Sequence, residues 1–216
     1  AIIEAQQSHV PLLILTTDRP PELRHSGANQ TIDQIKLYGD QVLWSVDVAL
    51  PEAEPSPLTI RNLQTLACRA YARTDGMVKG VVHLNFPFRK PLEPTSISTD
   101  NTTLPVPRNI SEPFTSFSQG RIVPSSQQIN TLAAIIENHE QGIIVCGPNC
   151  PSGEFSKAIK ALSHVSSYPI LADPLSGLRF DQNQGGTVIG AYDTFLHPAF
   201  PQPDVILRFG KVPTSK

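Results

Sequence analysis

Short runs of branched apolar residues alternate along this chain with stripes of helical period, and that alternation sets its architecture. Ala1 to Gln7 reads as helix, and Val10-Pro11-Leu12-Leu13-Ile14-Leu15 opens a strand, Val10 to Thr16, whose composition suits burial on both faces of a parallel sheet. A polar stretch follows, with a short helix expected at Thr31 to Tyr38, capped by Asn29 or Thr31, and a short strand at Val42 to Val48. Pro57 to Arg73 carries Leu58, Ile60, Leu63, Leu66, Ala67, Ala70 and Tyr71 at helical spacing, with proline at its start. Lys79 to Phe86 is a further buried strand closed by Pro87, which makes strand, helix, strand a βαβ unit.

The rhythm then breaks. From Pro87 to Pro124 there are seven prolines among many Ser and Thr, a composition that prevents both helix and central strand, so residues 92–124 read as an extended linker. From Ser125 the alternation resumes: a capped helix to about Glu140, a strand Gly142 to Pro148, a helix Glu154 to Val165, a strand Pro169 to Asp173, a loop at Gly185-Gly186, a helical turn Tyr192 to Leu196 and a strand Val205 to Gly210. This second unit, 125–216, predicts a doubly wound parallel α/β domain. Both ends look cut from a longer chain, since Ala1 already stands in helical register and Lys216 directly follows a strand.

Composition narrows the function classes. Net charge is −2, from 17 basic and 19 acidic residues, with no basic tail, so neither nucleic acid nor a membrane surface is an expected partner. No apolar run approaches the roughly 20 residues needed to span a bilayer, and no signal peptide is visible, so a cytoplasmic location is expected. Cys68, Cys146 and Cys150 form no C-x-x-C pair and are expected as free thiols, with no metal site. Gly147 and Gly153 lie six apart with prolines between them, unlike the G-x-G-x-x-G dinucleotide fingerprint. Motifs for P-loop hydrolysis, zinc proteolysis and serine hydrolysis are absent.

Chemistry concentrates in Asp18 to Gln34, D-R-P-P-E-L-R-H-S-G-A-N-Q-T-I-D-Q, directly after the first strand. Ligands of open α/β sheets bind beyond the carboxyl ends of the strands, and two arginines, a histidine, an amide pair and a Gly there make an anion-binding loop. The plain structural reading pairs Arg19 with Glu22, makes Asn29 a cap and Gly27 a turn residue. His83 and Asn85, near the end of their strand, read as satisfied structural groups.

The run Thr17 to Gln34 closely resembles the signature loop of the 2-succinyl-5-enolpyruvyl-6-hydroxy-3-cyclohexene-1-carboxylate synthases, the MenD family. V-V-H-L-N-F-P-F-R-K-P-L (Val81 to Leu92) and L-R-F-G-K-V-P-T-S-K (Leu207 to Lys216) are similar to further segments of it. The resemblance implies three α/β domains, of which this chain holds the later part of the pyrimidine-binding domain (1–91), the linker and an incomplete central domain (125–216). It implies thiamine diphosphate with Mg2+ or Mn2+, held mainly by parts outside this chain. The activating glutamate and the G-D-G…N metal motif would also lie outside it, which predicts an inactive isolated fragment.

The implied reaction of menaquinone and phylloquinone biosynthesis decarboxylates 2-oxoglutarate and adds the succinyl semialdehyde unit to isochorismate, in a homodimer or homotetramer. Both substrates are dicarboxylates, which suits an arginine fork. By matching motifs, Arg19, Asn29, Gln30 and Lys216 are the substrate-contacting candidates, and Gln30 also takes a catalytic role as donor near the reacting carbon. Arg24 is left outside the set. The competing readings are another thiamine-dependent 2-oxo acid enzyme, such as an acetolactate synthase, and a non-catalytic anion-sensing α/β module.

Overall fold

A computed structural model of the chain describes residues 1–92, 113–179, 188–194, 196 and 200–214. They fall into two units, 1–120 and 121–216. Most of the proline-rich span, and the Gly185-Gly186 loop, lie outside the described residues; residues 113–124 contain neither helix nor strand.

The first unit runs α1 (Ile2–Gln7), β1 (Leu12–Asp18), β2 (Trp44–Asp47), α2 (Pro57–Thr74) and β3 (Val81–Pro87). Its strands form a parallel sheet in the order β1-β3-β2. The central strand is β3, whose near-continuous apolar run places Val81, Val82 and Leu84 in the interior, as expected for a strand covered on both faces. The Ser56 hydroxyl accepts from the Thr59 N–H at 3.1 Å to cap α2, and Pro57 occupies the first turn, where its missing N–H costs nothing. Ala70 of α2 packs with Val48, Val82 and Leu84. Arg69 and Arg73 of the same helix lie 4.7 and 5.2 Å from the Trp44 ring centre.

The fold departs from the sequence pattern at two places. Among the described residues the first strand is not buried on both faces: it lies at the edge of the β1-β3-β2 sheet and its residues alternate, with Leu13 and Leu15 40% and 60% exposed. Apolar composition alone does not distinguish an edge from a centre, and among the described residues that side of β1 is left uncovered. The segment Thr31 to Tyr38 is not a helix: residues 31–34 are irregular and 35–38 form a turn. The Asp33 carboxylate accepts from the Ile35 N–H at 3.1 Å, Lys36 takes a left-handed φ of 55°, and the Gln34 side chain is drawn back to the end of β1. The Asp33 turn offers the backbone a local alternative to the helical ladder, and the distant partners of Gln34 at the end of β1 hold the segment there.

The second unit contains α3 (Ser126–Glu137), β4 (Gly142–Cys146), α4 (Phe155–Ser166), β5 (Ile170–Ala172), β6 (Val188–Ile189) and β7 (Val205–Phe209). Its parallel sheet has the order β6-β5-β4-β7. The chain moves outward from β4 through β5 to β6 and then returns to the other side of β4, the reversal of a doubly wound sheet. Ser125 and Gln128 form a reciprocal capping box at the start of α3. Ile144, Cys146, Ile159, Tyr168, Ile170, Ala172, Leu178 and Leu207 make the core.

At the reversal, between β4 and β7, backbone meets backbone. Gly147 N–H donates to the Phe209 carbonyl at 2.9 Å and Lys211 N–H to the Pro148 carbonyl at 2.7 Å, and a Cβ on Gly147 would overlap the Lys211 carbonyl oxygen. Gly147 is therefore required for close loop packing. The buried Asp173, just past β5, accepts from the Thr214 N–H and hydroxyl, both at 2.8 Å, and so anchors the segment after β7. Cys68, Cys146 and Cys150 are free thiols. Burial pushes the Cys146 thiol up to about 12, which leaves it protonated and unreactive at neutral pH.

Candidate functional site

Strand register brings three polar residues to one edge of the first sheet. Asp18 stands opposite Pro87 at the end of β1, and Asp47 of β2 stands opposite Asn85 of β3. The Asn85 amide donates to the Asp18 carboxylate at 3.0 Å and to Asp47 at 2.9 Å. Arg24, folded back from the loop, closes the group: its Nη1 and Nη2 donate to Asp47 at 2.8 and 2.9 Å, and Nη2 also lies 3.1 Å from Asp18. With the Arg24 side chain 9% exposed and that of Asp18 1% exposed, this is a largely buried charge cluster. The hydrogen bond from Arg24, assisted by the one from Asn85, holds the Asp47 carboxyl below its ordinary pKa despite partial burial.

The network continues inward. Because both amide hydrogens of Asn85 point at carboxylates, its Oδ1 is the acceptor for the Thr16 hydroxyl at 2.8 Å. Thr16 Oγ1 must then accept from the His83 Nε2–H, 2.7 Å away, which leaves His83 Nδ1 to accept from Ser45 at 3.3 Å. His83 is fully buried, with Tyr38 edge-on against its ring, and burial pushes its pKa down. Both residues are thus structural groups, as their plain reading had it.

A pH consequence follows from His83. Since the folded state disfavours the charged ring, its contribution to stability is full above the ordinary histidine value of about 6.5 and is lost as the pH falls below it. In an NMR titration the His83 ring protons should remain in their neutral-form positions while a denatured control titrates. A midpoint at or above the control would show the sign to be wrong.

On the outer side of this cluster Thr17, Asp18, Arg19, Gln30, Gln34, Phe88 and Leu92 line a cavity of about 300 Å³. Among the described residues four donors surround Asp18, the Arg19 N–H (2.7 Å), the Gln34 amide (3.0 Å), Asn85 and Arg24, so both of its oxygens are engaged by protein. Glu22 pairs with Arg89 at 2.6 Å and not with Arg19. Among the described residues the Arg19 guanidinium has no hydrogen-bond or ion-pair partner, and neither does the Gln30 amide. Gln30 also holds a left-handed φ of 56°, a conformation that costs a non-glycine residue about 1–3 kcal/mol and is typical of functional loops. Among the described residues the cavity wall therefore offers a cation and an amide without partners, which is chemistry for an anion with an adjacent polar atom.

The structure brings together Arg19 and Gln30. Asn29 sits on the same loop, exposed, outside the lining of that cavity. Lys216 lies outside the described residues. Gln34 was missed from the sequence, although it closes the polar run; nothing in its type distinguishes it from a surface glutamine. Among the described residues no group of three or more His, Cys, Asp or Glu is placed to hold a metal ion, and no helix is long and apolar enough to cross a membrane.

No family model matches the chain. Individual relatives do. The 2-succinyl-5-enolpyruvyl-6-hydroxy-3-cyclohexene-1-carboxylate synthase of Roseiflexus castenholzii is 54% identical over 222 aligned positions, covering 100% of this chain and 38% of the relative. That of Roseiflexus sp. strain RS-1 is 52% identical with the same coverage, and that of Haloquadratum walsbyi is 44% identical across all of this chain and 36% of its own length. Matched from end to end at this identity, and spanning well under half the length of these relatives, the chain belongs to the 2-succinyl-5-enolpyruvyl-6-hydroxy-3-cyclohexene-1-carboxylate synthase family.

Proposed function

We propose that this chain supplies part of the substrate site of a full-length synthase that decarboxylates 2-oxoglutarate and adds the resulting four-carbon unit to isochorismate. The observation that carries the proposal is that Arg19, whose guanidinium has no ion-pair partner among the described residues, lines the same cavity as Gln30 at the carboxyl edge of the sheet. Arg19 binds a substrate carboxylate with its planar fork, which fixes orientation as well as position. Gln30, the catalytic candidate, donates from its amide to the oxygen on which charge develops as the new carbon–carbon bond forms. Asn29 and Lys216 are further substrate contacts in this reading. Thiamine diphosphate, when bound, supplies the carbanion chemistry.

The described residues do not fit the role of holding that cofactor's metal, because Asp18, the acidic residue lining the cavity, has its oxygens engaged by four protein donors. The cofactor, with Mg2+ or Mn2+, is assigned to other parts of the full-length enzyme. Residues 1–91 are read as part of its pyrimidine-binding domain, 92–124 as a linker and 125–216 as part of its central domain. The enzyme is proposed to be a cytoplasmic homodimer or homotetramer of menaquinone or phylloquinone biosynthesis.

Product analysis tests the reading. Given thiamine diphosphate, Mg2+, 2-oxoglutarate and isochorismate, the full-length enzyme should form the succinylated cyclohexene carboxylate and carbon dioxide. Acetolactate formed from pyruvate instead would identify an acetolactate synthase. Anion binding without cofactor or turnover would identify a sensor.

A further inference from the structure

The orientation of one side chain on the cavity wall is fixed by its neighbours. Gln34 Nε2 lies 3.0 Å from the Thr17 carbonyl oxygen and 3.0 Å from Asp18 Oδ1. Both partners only accept: one is a backbone carbonyl, the other a carboxylate ion-paired with Arg24. The amide cannot be reversed without setting its own oxygen against two acceptors, so both of its N–H groups are committed to the end of β1. The polar atom that Gln34 has left is Oε1, which accepts no hydrogen bond among the described residues although the side chain lines the cavity. Next to Arg19 and Gln30, groups with hydrogen-bond donors to offer, Gln34 is an obligate acceptor.

An acceptor at that point selects a donor on the ligand. The relatives' name describes a product with succinyl, enolpyruvyl and carboxylate groups and a 6-hydroxyl. Every carboxyl in that list is ionised at neutral pH and can only accept, as can its ketone and ether oxygens. The 6-hydroxyl alone donates. We infer that Gln34 is a specificity-determining residue whose Oε1 accepts the hydrogen bond of the ring hydroxyl, orienting the ring while Arg19 holds a carboxylate of the same ligand. This assignment rests on the function proposed above and extends it: Gln34 selects the hydroxylated ring substrate and makes no demand on 2-oxoglutarate, which lacks a hydroxyl.

The experiment compares isochorismate with an analogue whose ring hydroxyl is replaced by hydrogen, using kcat/KM in the full-length enzyme and in its Gln34→Met and Gln34→Asn variants. A site built to bond a hydroxyl rejects the analogue without it, so the unsubstituted enzyme should prefer isochorismate by tenfold or more. In Gln34→Met, of similar length but without an amide, that preference should collapse toward unity. Gln34→Asn withdraws the oxygen by one methylene and should reduce the preference in the same direction. A structural role for Gln34 would lower both rates together and leave the ratio intact, and an intact ratio in either folded variant overturns the assignment. A wild-type enzyme indifferent to the hydroxyl overturns it as well. If instead the wild type makes no succinylated ring product at all, the proposed function fails before Gln34 is at issue.

Discussion

Replacing Arg19 by alanine in the full-length enzyme is expected to lower kcat/KM by about 10²-fold or more, a loss of a few kcal/mol in transition-state binding. The size of the effect follows from the state of the guanidinium. It lines the cavity without an ion-pair partner among the described residues, so its removal releases no compensating protein interaction and removes a charge-assisted anchor from the ligand. Arg19→Lys should recover only part of the loss, because an ammonium keeps the charge without the two-pronged geometry. Folding should be little affected, since the contact between this residue and the Asp18 carboxylate is made by the backbone N–H at 2.7 Å and survives substitution. Unchanged steady-state kinetics in the alanine variant would remove Arg19 from the site.

The other arginine of the loop should behave in the opposite way. Arg24→Met is expected to cost about 3–5 kcal/mol of stability, because it leaves Asp18 and Asp47 together at the sheet edge without their counter-charge. The unfolding midpoint of the full-length protein reports this loss. The deficit should be greatest at neutral pH and shrink in acid. Asp47 has a depressed carboxyl pKa in the folded state, so the stability it contributes is present above the ordinary carboxylate value of about 4 and disappears as the pH falls through the folded one. Adding Asp47→Asn to the variant removes one of the stranded charges and should restore part of the midpoint. An Arg24→Met protein as stable as the wild type at pH 7 would mean that the cluster is solvated and contributes little.

The two arginines are separated only by partners distant in the chain. They stand five residues apart in one polar loop, and nothing in their local sequence says which is free. Arg24 is engaged because β2 delivers Asp47 and β3 delivers Asn85 to the same edge as Asp18, a coincidence created by strand register. Gln34 went unnoticed for the same reason: its meaning lies in two acceptors at the end of β1, sixteen and seventeen residues before it. The missing helix at 31–38 is a related case. Its composition permits a helix, but side-chain bonds from Asp33 and Gln34 hold the backbone out of it.

Local chemistry, by contrast, was legible from the residues alone. Strands β1 to β5 and β7, helices α1 to α4, the proline-led start of α2 and the cap at the start of α3 depend on neighbours within a few positions. Kinship with the synthase family was legible too, because it rests on contiguous runs of residues. Tertiary structure decided which strand is an edge, which arginine is committed to the fold, and which way an amide faces. Each of these depends on partners far away in the chain, and charges and hydrogen bonds find their partners only after the sheet has set its register.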